Sequence, residues 1–125
     1  MQPDITLRRS DLERLQRLLS DVDEHTPVLL IERLETELLR ARVVDDASSG
    51  HDLVTLGSRV EFESRGTGKR RVVTLVLPED VEGPETLSVL TPIGCSLLGL
   101  RVGDVFTWHD GVRRWQIEVL TVEQP

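Results

Sequence analysis

The hydrophobic residues of this 125-residue chain change their period about a third of the way along, and one kind of secondary structure cannot satisfy both parts. Leu12, Leu15, Leu19 and Val22 fall at spacings of three, four and three, and Ile31, Leu34, Leu38 and Ala41 repeat that spacing. Each set puts an apolar stripe on one side of a helix, in the manner of a coiled-coil seam. Ser10 and Glu13 have the S-x-x-E spacing of a capping box. Thr26-Pro27 offers a proline at the first turn of a second helix, where a missing N–H costs nothing. Asp23, Glu24 and His25 make a short polar turn between the two. Residues 1–46 therefore predict a short antiparallel helical hairpin, a small coiled coil. The competing arrangement lays both helices flat on whatever follows, and Leu18, Leu29, Leu30 and Leu39, which lie off the seam, need cover from somewhere.

After Asp45-Asp-Ala-Ser-Ser-Gly-His-Asp52, a polar stretch rich in turn formers, the period falls to two. Val60 and Phe62 alternate with Glu61 and Glu63, as in a strand with one wet face. The run from Arg71 to Leu77 is apolar on both sides and reads as a central strand covered on each face. Leu87 to Leu90 is a third strand, Val105 to Trp108 a fourth, and Trp115, Ile117 and Val119 line one face of a fifth. Asp110-Gly111 is a hairpin signal between the last two. Before them, Thr91-Pro92 starts a short helix carrying Leu97 and Leu98. Gly99 can end it in the left-handed conformation, and a Gly103-Asp104 turn leads into the next strand. The fold expected is α+β: a helical hairpin over 1–46, a linker over 47–53, and a mostly antiparallel β domain with one short helix over 54–125.

Composition narrows the function classes. The formal charge of −7 opposes nonspecific grip on nucleic acid, which rests on Lys and Arg neutralising phosphates. An aromatic share of 3%, without tyrosine, leaves little for base stacking. It also ill equips the chain for the aromatic-lined pocket of a peptidyl-prolyl isomerase. No direct sequence-specific nucleic-acid binding is expected. No apolar run approaches the ~20 residues of a membrane span. Met1-Gln-Pro-Asp-Ile lacks the basic and apolar regions of a signal peptide. The single cysteine, Cys95, cannot form an internal disulfide and reads as a small apolar filler. A cytoplasmic monomer is expected.

Candidate chemistry is sparse. His25, His51 and His109 have no ligand-spaced neighbours, no serine sits in a G-x-S-x-G elbow, and no phosphate-accepting histidine stands in a nucleotide pocket. No catalytic residue, metal site or cofactor is expected. Arg65-Gly-Thr-Gly-Lys69-Arg-Arg71 is a Gly-rich turn with a basic run, without the helix a phosphate cradle needs. It suits a solvated hairpin tip or an electrostatic contact to an acidic partner.

Two motifs carry a resemblance. Leu56-Gly-Ser-Arg-Val60 has the form L-G-S-x-V, and Pro92-Ile-Gly-Cys-Ser-Leu-Leu-Gly-Leu-Arg-Val-Gly-Asp104 the form P-I-G-x-x-L-L-G-x-x-x-G-D. In this order and separation they resemble the FKBP-like C-terminal domain of the Gre transcript-cleavage factors, over about Val54 to Val122. The short helical front resembles their Rnk-type relatives, named as regulators of nucleoside diphosphate kinase. The resemblance implies RNA polymerase as partner, docked at the rim of its secondary channel through Thr91, Pro92, Ile93 and Gly94. Thr91 and Pro92 match the last two positions of an acidic-or-polar, Ser, Pro corner, and Leu90 departs from the first. Gre factors also carry acidic residues at their hairpin tip that help hold a catalytic magnesium ion, and Asp21, Asp23 and Glu24 gather at the tip expected here. With a short hairpin the resemblance implies a non-catalytic regulator that competes with Gre factors. The alternatives are a shortened cleavage factor using that acidic tip, an isomerase-like protein, or another interaction module.

Overall fold

The computed structural model describes residues 3–109, 112 and 114–125; the hairpin signal expected at Asp110-Gly111 lies outside them. The elements run β1 (Thr6–Arg8), α1 (Arg9–Ser20), α2 (Val28–Arg40), β2 (Arg42–Val44), β3 (Arg59–Arg65), β4 (Lys69–Val76), β5 (Thr86–Ser88), α3 (Pro92–Leu97), β6 (Val105–His109) and β7 (Arg114–Glu123). The chain is mixed α+β, with the two longer helices at the N-terminal end and one short helix before the last two strands.

Five strands form one sheet in the order β5-β4-β3-β7-β6. Every pairing is antiparallel except β4 with β5. The middle strand, β3, slips register against β7 between Glu61 and Phe62, a bulge that bends the strand and helps the sheet curl. Period-two alternation sends Val60, Phe62, Val73, Leu75, Phe106, Ile117 and Val119 to one buried face. The expectation of a β4 covered on both sides fails. Val73 and Leu75 are buried, but Val72 on the opposite face is 42% exposed. The sheet has one covered face, and β4 has only the three-residue β5 beyond it.

The helical seam selects the right leucines for a different packing. Leu15 and Leu34 are fully buried, in one cluster with Ile5, Leu7, Val54, Leu56, Leu97, Leu100 and Phe106. Their cover therefore includes the sheet and α3, and a free-standing coiled coil is not what is seen. Leu18 packs against the same cluster, whereas Leu29 and Leu39 are left exposed. Two short strands not read from the sequence fix this placement. β1 and β2 pair in parallel, Thr6 with Arg42 through Arg8 with Val44, so α1 and α2 form the connection between them. The Thr6 N–H donates to the Gly99 carbonyl at 3.1 Å. Gly99 takes φ +80° after α3, as expected of a left-handed helix stop, and a Cβ there would meet Ile5 Cβ at 2.9 Å.

The capping box does not form. α1 begins at Arg9, with Ser10 inside its first turn, and the cap comes from Asp46 instead. Asp46 Oδ1 accepts the Ser10 N–H at 3.2 Å, and the Ser10 hydroxyl donates to Oδ2. These bonds hold the Asp46 carboxyl below its ordinary range. α2 begins at Val28, so Pro27 is its N-cap rather than its first helical residue, and the first turn bonds to the Pro27 carbonyl without a side-chain cap.

α2 is held to the sheet through Arg33. Its guanidinium lies 3.5 Å from the Trp108 ring centroid and 4.9 Å from that of Phe106. Trp108 stacks in turn on its cross-strand partner Trp115, centroids 5.6 Å apart and planes 7° from parallel. A partly desolvated cation–π contact contributes about 1–2 kcal/mol. Arg33→Ala should therefore cost about that much and shift tryptophan emission. Unchanged emission and melting would show that the stack holds without its cation. Among the described residues, no helix is long and apolar enough to cross a membrane.

Candidate docking groove

The corner before α3 is built by a hydroxyl and a glycine. Thr91 is the N-cap: its Oγ1 accepts the Gly94 N–H at 3.1 Å and donates to the Ser88 carbonyl at 2.7 Å. Pro92 opens the helix, fully usable there because no N–H is needed. Pro92 is exposed and Thr91 and Ile93 are half-buried, whereas Gly94 is buried. Gly94 offers a partner no surface; its role is to let the helix pass close to Ser88.

Against this corner lies an open groove of about 700 Å³. Leu87, Thr91, Pro92, Ile93 and Trp115 give it an apolar wall, and Arg65, Lys69 and Arg114 border it. The Gly-rich basic turn and the Pro-Ile-Gly corner, separate in sequence, thus meet at one surface. The turn is a β3–β4 hairpin tip, with Gly66 at φ +101° and Gly68 at φ +73°, and no helix follows it as a phosphate site would require. Arg65 sits 3.8 Å from Glu118. Lys69 and Arg114 make no ion pair among the described residues.

The acidic residues between α1 and α2 sit apart from the groove. Asp21, Asp23 and Glu24 are all exposed. Asp23 Oδ1 accepts the His25 N–H at 2.9 Å and the Thr26 hydroxyl at 3.4 Å, which closes the turn. Asp21, with Arg14, Arg17 and Leu18, faces Leu77, Pro78, Glu79 and Asp80 across a cleft of about 530 Å³. The end of α1 therefore lies beside the loop after β4. No group of three His, Cys, Asp or Glu among the described residues could hold a metal ion.

Cys95 is buried in α3 as a filler. Burial pushes its thiol up to about 11, with nearby Arg33 opposing the rise, so it stays protonated near neutrality. Three features had no local signal in the sequence: Arg33, the Trp108–Trp115 stack, and Asp11. Asp11 is fully buried and accepts from Arg8 Nη2 at 2.9 Å, Arg8 Nε at 3.2 Å and the Leu56 N–H at 3.2 Å. It ties α1 to the Leu-Gly-Ser motif 45 residues on.

A helical front folded on a curled sheet is a mixed α+β fold of the GreA/GreB type. Residues 49–124 match the model of the GreA/GreB transcription elongation factor C-terminal family, and residues 3–44 match that of the Rnk N-terminus. The chain belongs to the GreA/GreB family and carries the Rnk form of N-terminus, as its two motifs and short front implied. Over 124 residues it is 38% identical to the Regulator of nucleoside diphosphate kinase of Escherichia coli (strain K12), covering 98% of this chain and 90% of that one. It is 39% identical over 80 residues to the Transcription inhibitor protein Gfh1 of Thermus aquaticus, covering 62% and 50%. The prokaryotic transcription elongation factor GreA/GreB from Nitrosomonas europaea superposes with a TM-score of 0.75 at 34% identity, covering 98% of this chain and 99% of that one.

Proposed function

We propose that this protein is a non-catalytic transcription regulator that docks on RNA polymerase at the secondary-channel rim and competes there with Gre factors. The sheet and α3 act as an FKBP-like docking domain, with Thr91, Pro92 and Ile93 as the contact. The protein works as a monomer in the bacterial cytoplasm. What carries this reading is the placement of Asp21 beside Leu77–Asp80, close to the protein's own sheet domain. α1 has 12 residues, roughly 18 Å at 1.5 Å per residue. Carboxylates position a metal ion only by touching it, directly or through its waters. A hairpin whose first helix ends beside its own domain after 12 residues is too short to reach the polymerase active centre. The isomerase alternative draws no support from the groove, where Trp115 is the one aromatic among the described lining residues.

The test is a backtracked transcription complex. The protein alone should leave the RNA uncleaved, and added with a Gre factor it should reduce the cleavage that factor produces. Pro92→Ala should weaken polymerase binding while stability stays within about 0.5 kcal/mol, since Pro92 is exposed. Cleavage by the protein itself, lost on Asp21→Ala or Glu24→Ala, would establish the cleavage-factor alternative.

A further inference from the structure

The groove carries a charge pattern opposite to that of the whole chain. The molecule is formally −7, yet three cations border this one concavity, and Lys69 and Arg114 have no carboxylate partner among the described residues. Between them the wall is apolar: Leu87, Pro92, Ile93 and the face of Trp115. Trp115 is held in place from behind, because Trp108 stacks on it and Arg33 covers Trp108. A fixed aromatic beside aliphatic side chains is the kind of centre in which binding energy concentrates, and flanking charges steer and orient the partner.

We propose that the groove takes a short acidic protein segment with an apolar side chain at its middle, seated on Ile93 and Trp115, its carboxylates facing Lys69, Arg65 and Arg114. This rests on the docking reading above for the partner's identity, the segment being part of the polymerase. Charge complementarity favours a compact acidic segment over a nucleic-acid strand. Fields between exposed groups fade beyond about 10 Å at 0.1 M salt, so a segment confined to the groove is governed by Lys69 and Arg114, with Arg65 partly offset by Glu118. A strand long enough to leave the groove runs over a molecule of net charge −7, and a single tryptophan gives it little to stack on. Lys69 and Arg114 are then specificity-determining residues.

The experiment uses isotope-labelled full-length protein, followed by NMR. The probes are the peptide Ac-Glu-Glu-Leu-Ile-Glu-Glu-NH2, its counterparts with Lys for Glu and with Ser for Leu and Ile, and oligouridylate. The acidic apolar peptide should move the Trp115 indole N–H and the Ile93 and Lys69 amides, and the counterparts should not. Lys69→Glu combined with Arg114→Glu should weaken that peptide at least about tenfold at low salt, with the melting temperature unchanged because both residues are exposed. The same variant should weaken core-polymerase binding by a similar factor and flatten its salt dependence. If the peptide seats but polymerase does not bind, the groove chemistry stands and the polymerase reading falls. If polymerase binds the charge-reversed variant as well as the wild type, with the same salt slope, the groove proposal is overturned and polymerase docking stands. Tighter seating of oligouridylate, or peptide shifts confined to other surfaces, also overturns it.

Discussion

Gly94→Ala should destabilise the protein by about 3–5 kcal/mol, although it adds a single methyl group and Ala favours helix. The added Cβ would sit inside the van der Waals shell of the Ser88 carbonyl oxygen and 2.8 Å from Thr91 Oγ1. Both are fixed: Thr91 Oγ1 bonds the Ser88 carbonyl and the Gly94 N–H together, so neither atom can move alone. Relief requires the backbone of β5 to part from α3, which breaks the cap and disturbs the buried run from Gly94 to Leu100. A Cβ driven against fixed backbone puts overpacking at the top of its usual range, about 3 kcal/mol, and loss of a Thr cap adds about 0.5–2 because one displacement causes both. Folded domains hold only about 5–15 kcal/mol, so the melting temperature should fall by roughly 10 °C or more. Polymerase binding should fall as well, because the displacement that relieves the clash also breaks the Thr91 cap that shapes the proposed contact corner. A melt within about 2 °C of wild type would show that the Ser88–Gly94 approach yields cheaply.

The elements that were legible in the sequence are those whose signal is local. β3, β6 and β7 each bury one face and wet the other, so alternation marks them. α3 lies between Thr91-Pro92 and Gly99, whose backbone demands can be read one residue at a time. The leucine spacing names Leu15 and Leu34 as buried but not what buries them, because an apolar stripe fits a partner helix or a sheet equally well. β1 and β2 have three residues each and pair across the length of both helices, so neither has a period of its own. Ser10-Glu13 satisfies a pattern that Asp46 takes over from 36 residues away. Arg33 looks like one more solvated cation on a helix until Trp108 lies under it. The groove shows the same limit. Its corner and its basic turn were each visible, yet what joins them is the sheet order, which sets β5 beside β4 and β7 beside β3.

The second large effect falls on the buried carboxylate that joins the helices to the sheet. Asp11→Ala should cost about 3–5 kcal/mol, as expected when one partner of a buried ion pair is removed. Asp11 has no exposed surface, and the Arg8 side chain that faces it is 18% exposed. Its loss would leave the Arg8 guanidinium without its carboxylate and the buried Leu56 N–H without an acceptor, and each orphan is expensive. A position in the first turn of α1 makes Asp11 look like a residue placed there for the helix dipole, which alone contributes only about 0.3–1 kcal/mol. The size of the loss therefore separates the two roles. Adding Arg8→Met to Asp11→Ala should recover part of it, because no charge is then left unpaired. The coupling in that double-mutant cycle should exceed about 1 kcal/mol. Leu15, one turn along α1, shares a cluster with Val54 and Leu56, so the weakened protein should still unfold in one transition. Denaturant titration gives the energies, and hydrogen exchange at the Leu56 amide reports the broken link directly. A loss under about 1 kcal/mol, with that amide still protected, would reduce Asp11 to a dipole residue. Two separate transitions would mean instead that the helices fold apart from the sheet.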